Sequence, residues 1–348
     1  MREQMENFMR NIYLLDCTLR DGGNVNQCAF GDEAITNIIN GIGEAGVDII
    51  EIGFIRDVPY CDGKSIYTNA AQLRSRADKC NHNGILLAAM IEAKEDVSKQ
   101  FPVARLISQK ECGLDFIRVC VWERLMEEHM GYCLQMKRAG FEISIQPTAV
   151  AHYSDERFIK LLKMTNEIHP YAFYLVDTFG TESSKRISHL ANIADRYLDR
   201  DIKLGYHGHN NKMQALPCAE LVLKKNYDRD ICIDSSIGGM GKGPGNLQTE
   251  VIMDYLNEGY GKNYNVETII SLYAKYIKDF YKQEPWGYNV NSFIGCRDIV
   301  TQNYASYFND MNYGEEMFYA FVQSLSKAEK GYFNAEFTEK RLKELGLK

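Results

Sequence analysis

Two histidines separated by one residue, His207-Gly208-His209, close the run IKLGY of residues 202–206. Alternate residues of a strand point to the same side, so both imidazoles can face one ion. An aspartate from another strand end would complete a partial shell and leave positions for water and substrate. Asp21 is the best placed. Two histidines and a carboxylate suit Mn²⁺, Fe²⁺ or Zn²⁺ and tolerate Mg²⁺. Arg20 stands beside that aspartate. A guanidinium there can hold the carboxylate and the developing enolate of a 2-oxo acid. The run Gly238–Asn246 carries five glycines in nine residues. Such a loop leaves backbone N–H groups free to approach a ligand, and it feeds a helix N-terminus that favours anions. It is not a P-loop, because Lys242 is followed by Gly243 rather than Ser or Thr.

These groups need elements to position them. Short strand-like runs recur at Ile12–Asp16, Val47–Gly53, Ile85–Ile91, Asp115–Val121, Phe141–Gln146, Ala172–Asp177, Ile202–His207 and Ile231–Ser236. A helical pattern follows each. The clearest runs from Gly31 to Ala45, with Ala34, Ile35, Ile38, Ile39 and Ile42 on one face; Ser65–Lys79 reads as another. Eight β-α units imply a parallel sheet covered by helices, closed into a (β/α)8 barrel. An open doubly wound sheet is disfavoured, because CTLRDGG stands where a G-x-G-x-x-G turn would follow the first strand. In a barrel the reacting groups gather at the C-terminal ends of the strands. Glu51, Thr178, Gly241 and Lys242 are therefore read with Arg20 as substrate-binding candidates. The expected division is a catalytic barrel over residues 1–261 and a helical appendage over 262–348, with helices at Val266–Tyr281 and Glu315–Lys330.

Composition narrows the function classes. The chain has 348 residues, 45% hydrophobic and 25% charged, with 40 Lys plus Arg against 47 Asp plus Glu. A mildly acidic chain without a basic block is a poor nucleic-acid or anionic-membrane binder. No apolar stretch is long enough to span a bilayer, and the N-terminus does not read as a secretory signal. The 10 cysteines form no CxxC pair; reduced thiols in a cytoplasmic protein are expected. Exposed aromatics in the tail favour homo-oligomerisation.

The segments DCTLRDGG (16–23), EIGF (51–54), VDTFG (176–180), YHGHNN (206–211) and the glycine-rich 239–246 run occur in this order. Together they resemble the metal-dependent lyase barrels, the superfamily of hydroxymethylglutaryl-CoA lyase, isopropylmalate and homocitrate synthases, and 4-hydroxy-2-oxovalerate aldolase. The last is the most similar, over roughly residues 12–260. The resemblance implies a divalent metal, Mn²⁺ or Mg²⁺ before Zn²⁺, on Asp21, His207 and His209, with Asn246 as a weaker ligand. It also implies Arg20 as stabiliser of an enolate from pyruvate or another 2-oxo acid, the partners being a small 2-oxo acid and an aldehyde.

One departure bears on mechanism. In 4-hydroxy-2-oxovalerate aldolase a histidine base stands three residues after the metal-binding aspartate; here that position is Asn24. An amide takes no proton at neutral pH, so His152 is the first replacement, with a metal-bound hydroxide or Tyr206 as the alternatives. Lys242 and Pro244 occupy the region where hydroxymethylglutaryl-CoA lyase carries a cysteine. The tail, with PWGY at 285–288, does not read as a dehydrogenase-docking element, and no dehydrogenase partner is assumed. The expected activity is a class II aldolase or lyase. An acyl-CoA-dependent Claisen condensation and a non-catalytic metabolite-binding barrel are the alternatives.

Overall fold

The computed structural model describes residues 10–348 apart from 82, 83, 94, 107, 151, 152 and 226. Eight parallel strands form one sheet: β1 (Ile12–Asp16), β2 (Ile49–Ile55), β3 (Leu86–Ile91), β4 (Phe116–Val121), β5 (Ile143–Pro147), β6 (Ala172–Asp177), β7 (Lys203–Gly208) and β8 (Ile231–Ser235). Each pairs with the next, and β1 also pairs with β8 from Ile12↔Ile231 to Asp16↔Ser235. That last ladder closes the sheet into a (β/α)8 barrel.

Strand alternation sorts the side chains into two environments. Outward residues such as Ile50, Ile52, Val119, Leu175 and Tyr206 join the helices in the main apolar core. Inward residues divide along the barrel axis. Leu15, Ile49, Ala88 and Phe116 form an apolar plug, with Tyr171 stacked on Phe116 at 4.6 Å between ring centroids. Above the plug the interior is polar, with Glu51, Arg118, Gln146, His207 and Asp234 all buried. Gly205 makes room for one large inward ring: a Cβ there would lie 2.4 Å from the Tyr174 side chain.

Two expected helices differ. Within 65–79 only Ala70–Lys79 is helical. Ile66–Tyr67 instead adds a two-residue strand to the end of β2, and the Asn69 side chain caps the helix by accepting from Gln72 N at 3.1 Å. The expected helix over 315–330 is broken into Glu315–Gln323 and Lys327–Lys330. Ser326 starts the second with a capping box to Glu329, a local alternative that outcompetes helix continuation.

Helical structure fills the rest of the tail. Ile269, Leu272, Ile277 and Trp286 pack into the barrel's own core. Tyr304, Phe308, Phe318, Phe321 and Leu342 belong to a second apolar core. The two parts meet at the C-terminal mouth of the barrel. Trp286 Nε1 donates to Gly238 O at 2.8 Å, Lys242 Nζ to Asn303 Oδ1 at 2.8 Å, and Cys296 Sγ to Gly180 O at 3.1 Å. All ten cysteines are free, and only Cys61 is exposed. No helix of the described residues is long and apolar enough to cross a membrane.

Candidate functional site

Asp21, His207 and His209 meet at the mouth of the barrel. Asp21 Oδ2 lies 3.8 Å from His207 Nε2 and 3.9 Å from His209 Nε2. The imidazoles stand nearly perpendicular, their centroids 5.2 Å apart. Among the described residues this is the group of His, Cys, Asp and Glu side chains close enough to share an ion. Each ring is oriented from behind. His207 Nδ1 is 3.0 Å from Asp234 Oδ2, and His209 Nδ1 is 3.2 Å from the Gly245 carbonyl. A carbonyl and a carboxylate only accept, so Nδ1 carries the proton and Nε2 presents its lone pair to the cluster.

The cluster has the chemistry of a cation site. Asp21 Oδ2 and Asn246 Oδ1 are buried without a hydrogen-bond donor, an arrangement that costs free energy unless a cation meets it. Burial alone would raise the Asp21 carboxyl; Arg20, His209 and His207 overcome it and hold the group well below the usual carboxylate range. Burial pushes His209 down to about 4, so its imidazole is neutral at pH 7. A deprotonated carboxylate and a neutral imidazole are the forms a metal ion requires.

Beneath the cluster lies a charged ring. Arg20 donates from Nε to Glu51 Oε2 at 2.7 Å and from a terminal nitrogen to Asp21 Oδ1 at 3.0 Å. Arg118 crosses the barrel. It donates to Glu51 Oε2 at 2.8 Å and to Gln146 Oε1 at 3.0 Å, and it pairs with Asp234. The ring thus links Asp21 to Asp234 and, through Asp234, to His207. Removing one partner from a buried ion pair costs about 3–5 kcal/mol, so these positions are hard to displace. Arg118, Gln146 and Asp234 are not among the site candidates drawn from the sequence. The available signal was a charged residue inside the apolar run DFIRVCV, which burial tolerates only when paired.

The remaining candidates separate. Asn246 is beside the cluster: it bridges His209 through the backbone, and its side chain helps depress Asp21. Gly241 packs against it, where a Cβ would lie 2.6 Å from Asn246 Nδ2. Lys242 points instead to the tail, at Asn303. Glu51 Oε2 accepts from both Arg20 and Arg118, so it supports the guanidinium, while Oε1 is buried without a hydrogen-bond partner. Thr178 Oγ1 accepts from Ala149 N at 2.8 Å and ties two rim loops together. Tyr206 is not brought to the cluster: it sits between inward Gly205 and His207, so alternation turns it to the helix layer. There burial, with Cys218 and Asp177 nearby, pushes its hydroxyl well above the ordinary value. His152 lies outside the described residues. Asn24 donates from Nδ2 to Asp21 Oδ1 at 3.1 Å, acting as a buttress to the carboxylate.

The HMGL-like family model matches residues 11–274. The oxaloacetate decarboxylase of Mycobacterium tuberculosis is 26% identical over 253 residues, covering 70% of this chain and 69% of that protein. A 4-hydroxy-2-oxovalerate aldolase from Geobacillus genomosp. 3 is 26% identical over 282 residues, covering 77% of each. Among solved structures, the N-terminal domain of a Bacteroides vulgatus protein superposes with a TM-score of 0.74 at 23% identity. It covers 90% of this chain and 100% of that one.

Proposed function

The chain belongs to the HMGL-like family, and from that premise we propose that it is a divalent-metal-dependent carbon–carbon lyase acting on a 2-oxo acid. The observation that carries this reading is the convergence of Asp21, His207 and His209 beside the Arg20 guanidinium. These three side chains, with Asn246 as a further ligand, would hold Mn²⁺ or Mg²⁺. A divalent ion there supplies Lewis acidity to the keto oxygen of the substrate.

The chain's own groups do the rest. Arg20 is held by Glu51 and Asp21, so its position is set before substrate arrives. Its remaining N–H groups bind the substrate carboxylate and meet the negative charge that develops as the enolate forms. Asp234 and the Gly245 carbonyl keep both imidazoles in one tautomer throughout. Cleavage of the C–C bond leaves an enolate, and protonation of its carbon gives pyruvate or a homologue. For a 4-hydroxy-2-oxo acid, a base must take the hydroxyl proton; His152 is our candidate. In this reading residues 1–261 are the catalytic barrel and 262–348 a helical region seated on its mouth.

One observation favours a second reading, decarboxylation of a 3-carboxylated 2-oxo acid such as oxaloacetate. At the position of the aldolase's base, Asn24 donates to Asp21 and accepts no proton. Loss of CO₂ needs no such base. Both readings pass through the same enolate, so one experiment tests what they share. Metal-loaded protein and pyruvate in D₂O should exchange the methyl protons of pyruvate, followed by NMR, and added chelator should stop the exchange. Absence of exchange with pyruvate and with larger 2-oxo acids would remove both. Release of pyruvate from oxaloacetate, against release of aldehyde from 4-hydroxy-2-oxovalerate, then decides between them.

A further inference from the structure

Behind the glycine-rich loop lies a cavity of about 480 Å³. None of Asp21, His207, His209, Arg20 or Asn246 lines it. Its lining residues besides the loop include Tyr273, Tyr281, Trp286, Ile270, Gln248 and Glu250. Tyr281 and Trp286 meet edge to face, with centroids 4.9 Å apart at 84°. Trp286 is fixed by its bond to Gly238 O, and Glu250 Oε2 accepts from Gly238 N at 3.0 Å. Tyr273 packs on the same glycine, where a Cβ would lie 2.7 Å from its ring.

Glu250 is the only charged side chain among the described lining residues. Burial raises its carboxyl, opposed by backbone N–H groups, with no cationic side chain among the causes. A half-buried carboxylate in a cavity lined by aromatic residues, with Ile270 and Tyr281 open to solvent at its rim, is suited to one ligand class. Ring faces attract an alkylammonium through their quadrupole, and the carboxylate supplies the opposite charge. We propose that this cavity is a binding site for a small alkylammonium ion, held between the three aromatic rings and Glu250. The occupant would lie against Gly238, Gly239 and Pro244. Asn246 N donates to Gly239 O at 3.0 Å, so the ligand would touch the same loop that brings Asn246 to Asp21, from outside the catalytic cluster.

Choline and its neutral isostere, with a tert-butyl group in place of trimethylammonium, separate charge from shape. In titration calorimetry on the intact protein, choline should bind at least about tenfold more tightly than the isostere. Glu250→Gln keeps an acceptor for Gly238 N and should reduce that preference, leaving only the part the rings supply, with an unchanged thermal unfolding transition showing that the fold is intact. Absence of choline binding to the wild-type protein, equal binding of the two compounds, or a preference as large in Glu250→Gln as in the wild type would overturn the proposal. The comparison on the wild-type protein stands whether or not the variant folds.

Discussion

Two buried aspartates lie at the C-terminal end of the barrel, one in the turn after β1 and one at the end of β6, and their environments push them in opposite directions. Asp21 follows β1 and faces Arg20 and two imidazoles, which outweigh its burial and keep it charged. Asp177 ends β6 and faces Glu182; burial first, then that like charge, pushes it up to about 7. Its oxygens accept from Thr181 N at 2.9 Å and Glu182 N at 3.2 Å, which shapes the loop after β6. Residue type and burial are the same in both places. What differs is the charge alongside, Arg20 and two imidazoles for Asp21 against Glu182 for Asp177, and that decides which carboxylate is ready for a cation and which organises a loop.

Replacing the side chain that defines the contrast should have the largest effect. Asp21→Asn removes the anionic ligand and leaves Arg20 paired only with Glu51. Mn²⁺ affinity measured by calorimetry should fall by more than about a hundredfold, with 2-oxo acid turnover falling at least as far. Retained affinity would mean that the two aspartates do not differ in the way described.

Arg20→Ala tests the other half of the Asp21 environment. Turnover should drop by about a hundredfold or more, while a bound metal equivalent is kept. A fully metallated, active variant would contradict the role assigned to Arg20.

The smallest effect concerns Asp177 and is read in stability. Its folded pKa of about 7 lies above its ordinary value of 3.8. The folded chain therefore holds a proton that the unfolded chain releases, and this contribution to stability is present below about pH 4 and lost as pH rises towards 7. Asp177→Asn should flatten the fall in denaturant midpoint across that window. An unchanged pH profile would show that Asp177 is not perturbed. Asp21, depressed rather than raised, contributes with the opposite sign: its stabilisation is present above its unfolded value and lost only in strong acid.

Much of this arrangement was legible in the linear sequence, because it rests on local periodicity. The eight strand segments fall within two residues of their expected ends, and the i, i+2 spacing of His207 and His209 put both rings on one face. Alternation also argued against Tyr206, since a residue next to an inward histidine must face outward; the sequence reading had not applied that rule. Helix ends were less legible. Capping by Asn69 and Ser326 competes with helix continuation at small energies, and the apolar pattern alone does not register it.

Asp21, the paired imidazoles, the glycine-rich loop and the order of strands and helices follow from the sequence alone, because chirality and hydrogen bonding give each element a fixed period. Tertiary structure decided the charged ring. Arg118 meets Glu51 from 67 residues away and Asp234 from 116, and only the register of a closed barrel brings these groups within bonding distance. It also decided that the tail lies against the mouth, because the energy of that contact is spread over surfaces that no single stretch of chain contains.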